Sequence, residues 1–152
     1  MDVDVLRYGV PGWGVGELWL DGCVVVNHDA PVARPGGEEG SHPLVERVRA
    51  YFAGSRDAFA DVELDLGAHT PFQRAVVDAL RAVPYGEMVT YGELAALAGR
   101  PRAQRAAGSV CAQNRFSLFV PCHRVVAAAS LGSYGSLGVG YKRRLLELEG
   151  AV

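Results

Sequence analysis

The sequence predicts an α+β protein in two parts, a small N-terminal α/β unit at residues 1–67 and a mostly helical C-terminal domain at residues 68–152. Three observations support this division. The first part carries the alternating apolar pattern of a β-hairpin, and the second carries helical periodicities that begin at capping residues. The charge is also divided, because residues 1–93 hold seven arginines and fifteen acidic residues, whereas residues 94–146 hold eight basic residues and no acid.

The N-terminal part is interpreted as a scaffold. Gly16–Val26 predicts two strands joined by an Asp-Gly turn, since that pair between apolar runs is a strong hairpin signal. Residues 30–41 are rich in proline, glycine and glutamate and predict a loop. The apolar positions of residues 44–52 share one helical face, and the alternation at residues 62–66 predicts a further strand.

The C-terminal part predicts a series of short helices. Thr70, followed by proline, is a good N-cap, and Thr90 with Glu93 forms the capping box of the next helix. An alanine-rich helix is expected at about residues 102–112, after a turn that contains glycine. Two short helices around such a turn describe a helix-turn-helix, although many helical hairpins share the pattern. A glycine-rich loop at residues 131–140 precedes the last helix.

Composition excludes several classes of protein. The hydrophobic content of 49% is that of a globular protein, and no apolar run is long enough to span a membrane. The acidic N-terminus lacks the features of a signal peptide, so we expect a cytoplasmic protein with no membrane partner. Three cysteines, an odd number, favour reduced thiols. A zinc site would need Cys23 and His28, with His42 and His69 to complete the set, but no second cysteine lies nearby, so we expect neither metal nor cofactor.

The acid-free stretch predicts a surface that binds phosphates. Within it, the second helix of the helix-turn-helix carries Arg102 and Arg105 among the small residues Ala106 and Gly108. Small residues let a helix approach a nucleic-acid groove closely, and the arginines can then reach phosphates or bases. The alternative is that the same small residues pack this helix tightly against the core.

Cys122 is the residue with the most evident chemistry. Pro121 must lie at an edge or a bend, so it can turn the chain and present the thiol in a cleft. His123 and Arg124 follow directly and can lower the pKa of the thiol, which reacts as the thiolate. The alternative is a buried structural cysteine, which is the common environment of a free cysteine.

Several separated motifs resemble those of the O6-alkylguanine-DNA alkyltransferases, in that family's order and spacing. They are Phe72-Gln73, Pro84-Tyr85-Gly86-Glu87, Tyr91, Leu94-Ala95, Arg105-Ala106, Asn114, Pro121-Cys122-His123-Arg124-Val125 and Glu149-Gly150. The resemblance is close over about residues 70–150 and only general in the N-terminal part. It implies a ribonuclease-H-like N-terminal unit and a winged-helix-like C-terminal domain.

The resemblance implies a DNA-repair methyltransferase that acts once, because the thioether formed on its cysteine is stable. Cys122 would be the nucleophile that takes the alkyl group from O6-alkylguanine, and also from O4-alkylthymine. His123 would be the general base acting through a water, and Glu149 would orient the imidazole. Asn114 would brace the active-site turn. Tyr91 would protonate guanine N3 and help to rotate the nucleotide out of the duplex.

The resemblance also implies a DNA surface and a substrate pocket. Arg105 would fill the gap that the rotated base leaves, with its helix in the minor groove of double-stranded DNA. The residues expected to contact DNA are Tyr91, Arg102, Arg105, Ala106, Gly108, Cys111, Arg115 and Arg124. Those expected around the alkylated base are Val125, Gly132, Ser133, Tyr134 and Gly135. The protein is expected to act as a monomer.

Three departures from the family pattern affect these expectations. Arg115 and Ser117 stand where prolines are usual, the loop between Val126 and Gly132 is one residue short, and Ser136 follows Gly135 where a further glycine is usual. We also hypothesise that Cys111 lies close enough to Cys122 to affect its oxidation.

Three other functions are compatible with parts of the sequence. They are a relative that binds alkylated DNA without transfer, a Cys-His hydrolase, and a helix-turn-helix transcription regulator. Relatives of the first kind typically lack the cysteine that stands here at position 122. A hydrolase needs an oxyanion hole that nothing in the sequence indicates. No dimerisation element of a regulator is apparent.

Overall fold

The computed structural model describes residues 2–152, which form an α+β protein of two compact units. The first unit holds the residues up to Asp65 together with Arg115–Phe119, and the second holds Leu66–Asn114 and Val120–Val152. The helices and strands of the first unit are β1 (Asp4–Val10), β2 (Gly14–Asp21), β3 (Val24–Val32) and α1 (Pro43–Phe52). Those of the second are α2 (Pro71–Arg81), β4 (Val89–Thr90), α3 (Tyr91–Leu97), α4 (Gln104–Ala112), β5 (Val125–Val126) and α5 (Gly138–Leu148), with 3₁₀ turns at Cys122–Arg124 and Gly135–Leu137.

The first unit is a three-stranded antiparallel sheet in the order β1-β2-β3, with α1 packed near β1. The predicted hairpin is confirmed, and Gly22 has the positive φ of 62° that its two-residue turn requires. Strand β1 was not predicted from the sequence. The residues that alternate onto the inner face of the sheet, such as Tyr8, Leu18 and Leu20, are at most 1% exposed and form the core of this unit.

The prediction of a strand at residues 62–66 is wrong, because only Leu64 forms a β-bridge, to Val25. The hydrogen bonds there are Val25 N–H to Glu63 O at 2.9 Å and Asp65 N–H to Val25 O at 2.9 Å. Further along β3, the His28 N–H donates instead to Arg115 O at 2.8 Å. Two separate segments therefore share the outer edge of β3, and neither is long enough there to form a ladder.

The His28 side chain is fully buried in the first unit, with Nε2 bonded to the Tyr8 hydroxyl and Nδ1 to Ser117 O. Burial lowers its pKa to about 4, because the burial effect outweighs the opposing effect of the hydrogen bond that Nδ1 donates to Ser117 O. His42 accepts a hydrogen bond from Leu44 N and caps α1. Both ring nitrogens of His28 are thus engaged, Nε2 within the sheet through Tyr8 of β1 and Nδ1 to Ser117 of the Arg115–Phe119 segment.

The second unit contains the helices that the sequence predicts. Both capping boxes are present, Thr70 with Gln73 at α2 and Thr90 with Glu93 at α3. Helix α4 begins at Gln104, two residues later than expected, and its N-cap residue makes no side-chain hydrogen bond. Strands β4 and β5 form a short parallel pair. Among residues 2–152, no helix has the length and apolar character needed to cross a bilayer.

Candidate active site

Cys122 begins a 3₁₀ turn in the second unit and is only 5% exposed. The turn is closed by the Arg124 N–H, which donates to Pro121 O at 3.0 Å, and by the Val125 N–H, which donates to Cys122 O. Pro121 adopts φ −80° and ψ 64°, outside both helix and strand geometry. The predicted bend before the cysteine is present, but Cys122 is buried there rather than presented in an open cleft.

Glu149, one residue beyond α5, anchors this turn with its carboxylate. Its Oε2 accepts from His123 Nε2 at 2.7 Å and from Arg124 Nη2 at 3.0 Å. Its Oε1 accepts from Arg124 Nε at 2.9 Å and from Gly86 N at 3.2 Å. Glu149, His123 and Arg124 are each at most 5% exposed. The carboxylate is ionised, because its four hydrogen-bond donors, two of them from the Arg124 guanidinium, offset the free-energy cost of burying the two opposite charges.

The hydrogen bond to Glu149 determines which nitrogen of His123 carries the proton. An ionised carboxylate can only accept, so the Nε2 of His123 is the donor and its Nδ1 carries the lone pair. This Nδ1 is buried and has no hydrogen-bond partner among residues 2–152. Burial lowers the pKa of His123 despite the opposing effect of Glu149, so the ring is neutral near pH 7. His123 is therefore poised as a base.

Arg124 does not fit the prediction that it contacts DNA. It is 4% exposed, and its guanidinium is occupied by the Glu149 carboxylate and by Val83 O, which accepts from Nη1 at 2.8 Å. It also lies 5.7 Å from the centre of the Tyr85 ring. The side chain is directed into the second unit because Glu149 offers it a bidentate partner. Arg124 is thus part of the buried support of the active-site turn.

The Cys122 thiol forms a hydrogen bond with the thiol of Cys111 near the end of α4. This bond and burial raise the pKa of Cys122 well above its ordinary value, while Lys142 and Asn114 act in the opposite direction. The sequence suggested that His123 and Arg124 lower this pKa. Both are instead paired with Glu149, so Cys122 is a protonated thiol near pH 7 and needs a base.

Asn114 connects the two segments that carry the thiols. Its side-chain Nδ2 donates to Val120 O at 3.0 Å, and its backbone N–H donates to Cys111 O at 3.2 Å. It also forms a side-chain hydrogen bond to Cys122. The structure therefore places Asn114 where the sequence expected it, beside the turn that holds the reactive cysteine.

Lys142 is a site residue that the sequence reasoning missed. It is 0% exposed, donates from Nζ to Ser133 O at 3.1 Å, and lies 5.9 Å from the centre of the Tyr91 ring. Burial lowers its own pKa, and its charge lowers the pKa of both thiols. A signal was available, because Lys142, Leu145, Leu146 and Glu149 follow helical spacing and share the buried face of α5.

The glycine-rich loop lies against Tyr91, and its role in a substrate pocket stays a prediction. Gly132 has φ +79°, and a Cβ at this position would lie 3.4 Å from Tyr91 Cε2. Ser133 forms a side-chain hydrogen bond with Tyr91, whose pKa is raised chiefly by burial. Tyr134 stacks on Tyr141 with ring centres 6.3 Å apart. Burial and the nearby Cys122 both raise the pKa of Tyr134, so its hydroxyl stays protonated.

A cleft of about 470 Å³ opens beside Tyr91. It is lined by Thr90, Tyr91, Gly92, Gln104, Arg105, Gly108, Ala127 and Ala128. The exposed Arg105 guanidinium has no ion pair or hydrogen bond within residues 2–152, and a Cβ built at Gly108 would lie 3.7 Å from Tyr91 Cδ1. The structure thus brings the predicted base-flipping residues Tyr91 and Arg105 to one opening.

The predicted basic surface is smaller than the sequence indicates, because Arg124 and Lys142 are buried. In the second unit, the exposed basic residues of the acid-free stretch are Arg100, Arg102, Arg105, Arg143 and Arg144. Arg115 belongs to the first unit, where its Nη2 donates to Asp65 O at 2.8 Å and its guanidinium lies 5.1 Å from the Phe116 ring centre. Its predicted contact with DNA stays a prediction.

Comparison with known proteins shows a family match over residues 71–151 and relatives that align with about three quarters of the chain. Residues 71–151 match the family model described as 6-O-methylguanine DNA methyltransferase, DNA binding domain. A methylated-DNA–protein-cysteine methyltransferase of Mycobacterium tuberculosis is 47% identical over 116 residues, covering 76% of this chain and 67% of that protein. One from Methanosarcina acetivorans is 44% identical over 115 residues, covering 75% and 72%.

Two solved structures match nearly the whole chain. The crystal structure of Mycobacterium tuberculosis O6-methylguanine methyltransferase has a TM-score of 0.81 at 36% identity and covers 99% of this chain and 94% of its own. The structure of the Mycobacterium tuberculosis OGT in complex with DNA has a TM-score of 0.79 at 37% identity, with 95% and 92% covered.

Proposed function

The chain belongs to the O6-methylguanine DNA methyltransferase family, and from this premise we propose that it repairs DNA by transferring the alkyl group of O6-alkylguanine to Cys122. The observation that carries the proposal is the buried Cys122 turn next to His123, whose Nδ1 is unpaired and whose Nε2 is fixed by Glu149. A protonated nucleophile beside a neutral, oriented base is the arrangement that nucleophilic transfer needs.

The transfer is a displacement at the alkyl carbon. The Cys122 proton passes through a water to His123 Nδ1, and Sγ forms a bond to the carbon attached to guanine O6. The bond between that carbon and O6 breaks, and the guanine leaves with an extra electron pair. Tyr91 donates its proton to guanine N3, which neutralises the leaving group. Glu149 balances the positive charge that develops on His123, as the acidic member of a triad does.

Two further residues favour the charged form of Cys122 during this step. Lys142 lowers the pKa of the thiol through its charge, and Asn114 does so through its hydrogen bond. Both act in a buried environment, where electrostatic interactions are stronger than in water. The raised pKa protects the free thiol from adventitious reaction, and these groups then stabilise the thiolate when His123 removes the proton.

We propose that the target nucleotide rotates out of the duplex into the space beside Tyr91 and the glycine-rich loop, with Gly132, Ser133, Tyr134, Gly135 and Val125 around the base. Arg105 then occupies the gap in the base stack. Ala106 and Gly108 let α4 lie in the minor groove, and Arg102 contacts phosphates. O4-alkylthymine is a second substrate in this proposal. The protein acts as a monomer, and its units are ribonuclease-H-like and winged-helix-like.

The reaction consumes the protein, because no group near Cys122 can reverse a thioether. Intact-protein mass spectrometry after incubation with a duplex carrying O6-methylguanine tests the proposal. We expect one added methyl group at Cys122, none in Cys122→Ala, and an undiminished addition in Cys23→Ser, which alters an exposed thiol of the first unit. Absence of the methyl group with retained DNA binding would instead indicate a protein that only recognises alkylated DNA.

A further inference from the structure

The Cys111 and Cys122 side chains form a thiol pair in the second unit. They are hydrogen-bonded to each other, and both are free cysteines. Cys111 is partly exposed, whereas Cys122 is buried. The pair therefore joins a partly exposed residue to a buried one through their hydrogen-bonded thiols.

The surrounding contacts hold the pair in place. The Asn114 N–H donates to Cys111 O at 3.2 Å, while its Nδ2 donates to Val120 O at 3.0 Å, and Val120 O also accepts from the Cys122 N–H at 2.8 Å. Asn114 thus ties the end of α4 to the segment that precedes Cys122. The positive charge of Lys142 acts on both sulfur atoms from α5. A neighbouring cation favours thiolate formation, which is the reactive state of cysteine.

We propose that Cys111 and Cys122 are a reversible oxidation site, at which a hydroperoxide converts the two thiols into an intramolecular disulfide that blocks the alkyl acceptor. The loss of repair activity that this disulfide causes rests on the function proposed above, in which Cys122 receives the alkyl group. The formation of the disulfide itself depends only on the proximity of the two sulfur atoms.

The chemistry balances with hydrogen peroxide as the oxidant. The Cys111 thiolate attacks one peroxide oxygen, the O–O bond breaks, and Cys111 becomes a sulfenic acid as hydroxide leaves. The Cys122 sulfur then attacks the Cys111 sulfur and forms the S–S bond. The sulfenic hydroxyl leaves, and with the Cys122 proton it becomes water. Two thiols and one peroxide thus give one disulfide and two waters.

Cys111 is the residue attacked first because it is the more exposed thiol, and its pKa is lowered chiefly by the hydrogen bond from Cys122. The disulfide keeps Cys122 out of the irreversible part of the oxidation ladder, since sulfinic acid forms only when no second thiol intercepts the sulfenic acid. A cellular dithiol can then restore both thiols. Oxidised protein is in this way held inactive and recoverable.

Tryptic peptide mapping tests the proposal directly, because Arg105, Arg115 and Arg124 place the two cysteines in adjacent peptides, residues 106–115 and 116–124. The native, full-length protein is treated with a small molar excess of hydrogen peroxide, then alkylated and digested without reductant. We expect the two peptides to appear linked, with the intact protein lighter by two hydrogen atoms. Finding both peptides unlinked while Cys122 is oxidised would overturn the proposal.

Matched variants separate this proposal from the proposed function. In Cys111→Ala the hydrogen bond that contributes most to the raised pKa of Cys122 is lost, so peroxide should add two oxygen atoms at Cys122, and dithiothreitol should not restore methyl acceptance to the variant's own untreated level. In wild type and in Cys23→Ser, dithiothreitol should restore nearly all of it. Equal recovery in Cys111→Ala and wild type would contradict the proposal. A linked peptide pair in a protein that never accepts a methyl group would leave the disulfide standing and reject the function of Cys122.

Discussion

The Glu149 carboxylate accepts a 2.7 Å hydrogen bond from His123 Nε2, and both side chains are fully shielded from solvent. The same carboxylate pairs with the buried Arg124, so one acidic residue supports both the base and the turn that carries Cys122. Removing its charge would therefore affect chemistry and stability together. The two effects can be separated by measuring them independently.

Glu149→Gln keeps the shape of the side chain and removes its charge. Alkyl transfer should slow by about 100-fold, because His123 loses the partner that fixes its tautomer and balances its developing charge. The unfolding free energy should fall by about 3 kcal/mol, since Arg124 is left as a buried charge without a counter-ion. Single-turnover kinetics and urea denaturation measure the two quantities.

Glu147→Gln is the matched control for this variant, because Glu147 is exposed on α5 two residues earlier. It should leave both the rate and the stability near wild type. A Glu149→Gln protein that transfers alkyl groups at the wild-type rate would show that His123 does not depend on this carboxylate.

Lys142→Met should shift the pH profile of transfer upward. The buried ammonium lowers the pKa of Cys122, so its removal makes the thiolate harder to form. A rise of one pKa unit would reduce the thiolate fraction about tenfold at a given pH below the pKa. Transfer rates measured from pH 6 to pH 11, so that the range reaches the raised pKa of Cys122, give the profile, with Arg143→Met on the exposed side of α5 as the control. A lower rate with an unshifted profile would indicate a purely structural role.

The stability of the protein should decrease as the pH falls below the ordinary histidine range, partly because of His28. Its folded pKa of about 4 lies below its unfolded value of 6.5, so the unfolded chain binds the proton first. The contribution of neutral His28 to the unfolding free energy is complete above pH 6.5. It is lost progressively as the pH falls to 4 and below, and the total loss is about 3 kcal/mol. Buried His123 acts in the same direction. Urea denaturation at pH 7.5 and pH 5 measures the change.

His28→Gln should flatten this pH dependence without abolishing it, because His123 remains. The amide can keep a hydrogen bond to Tyr8 or to Ser117 O but does not titrate. If the variant loses stability between the two pH values as steeply as wild type, His28 is not the titrating group.

The sequence predicted most of the second unit because its signals are local. Capping residues such as Thr70 and Thr90 act within one helical turn, so their pattern is sufficient to begin α2 and α3. The first unit depends on pairing between distant segments. Arg115 and Ser117 are an example, because their backbone carbonyl groups accept from the His28 backbone and ring. No local pattern reveals such a partner.

The candidate site was predicted in part for a similar reason. The resemblance identified Cys122, His123 and Glu149, and the structure brings the last two into contact. It also assigned Arg124 to DNA by its charge, whereas the structure buries it against Glu149. Residue type alone predicts that Arg and Lys side chains are exposed to solvent. Only the helical spacing from Lys142 to Glu149 distinguishes a buried lysine from the exposed arginines beside it.

Arg105→Ala should impair repair of duplex DNA far more than reaction with a free base. The exposed Arg105 guanidinium lies at the opening beside Tyr91, where it can replace a rotated base in the stack. Extruding a base costs a few kcal/mol, so losing this support should slow transfer from a duplex by about 30-fold. Transfer from free O6-benzylguanine needs no extrusion and should stay within about twofold of wild type, given that Cys122 and His123 are untouched. Arg102→Ala, three residues earlier in the turn before α4 and also exposed, is the control, because loss of a phosphate contact weakens duplex binding without affecting the extrusion step. Equal slowing of Arg105→Ala on both substrates would place Arg105 in the chemistry of the site and contradict its role in base extrusion.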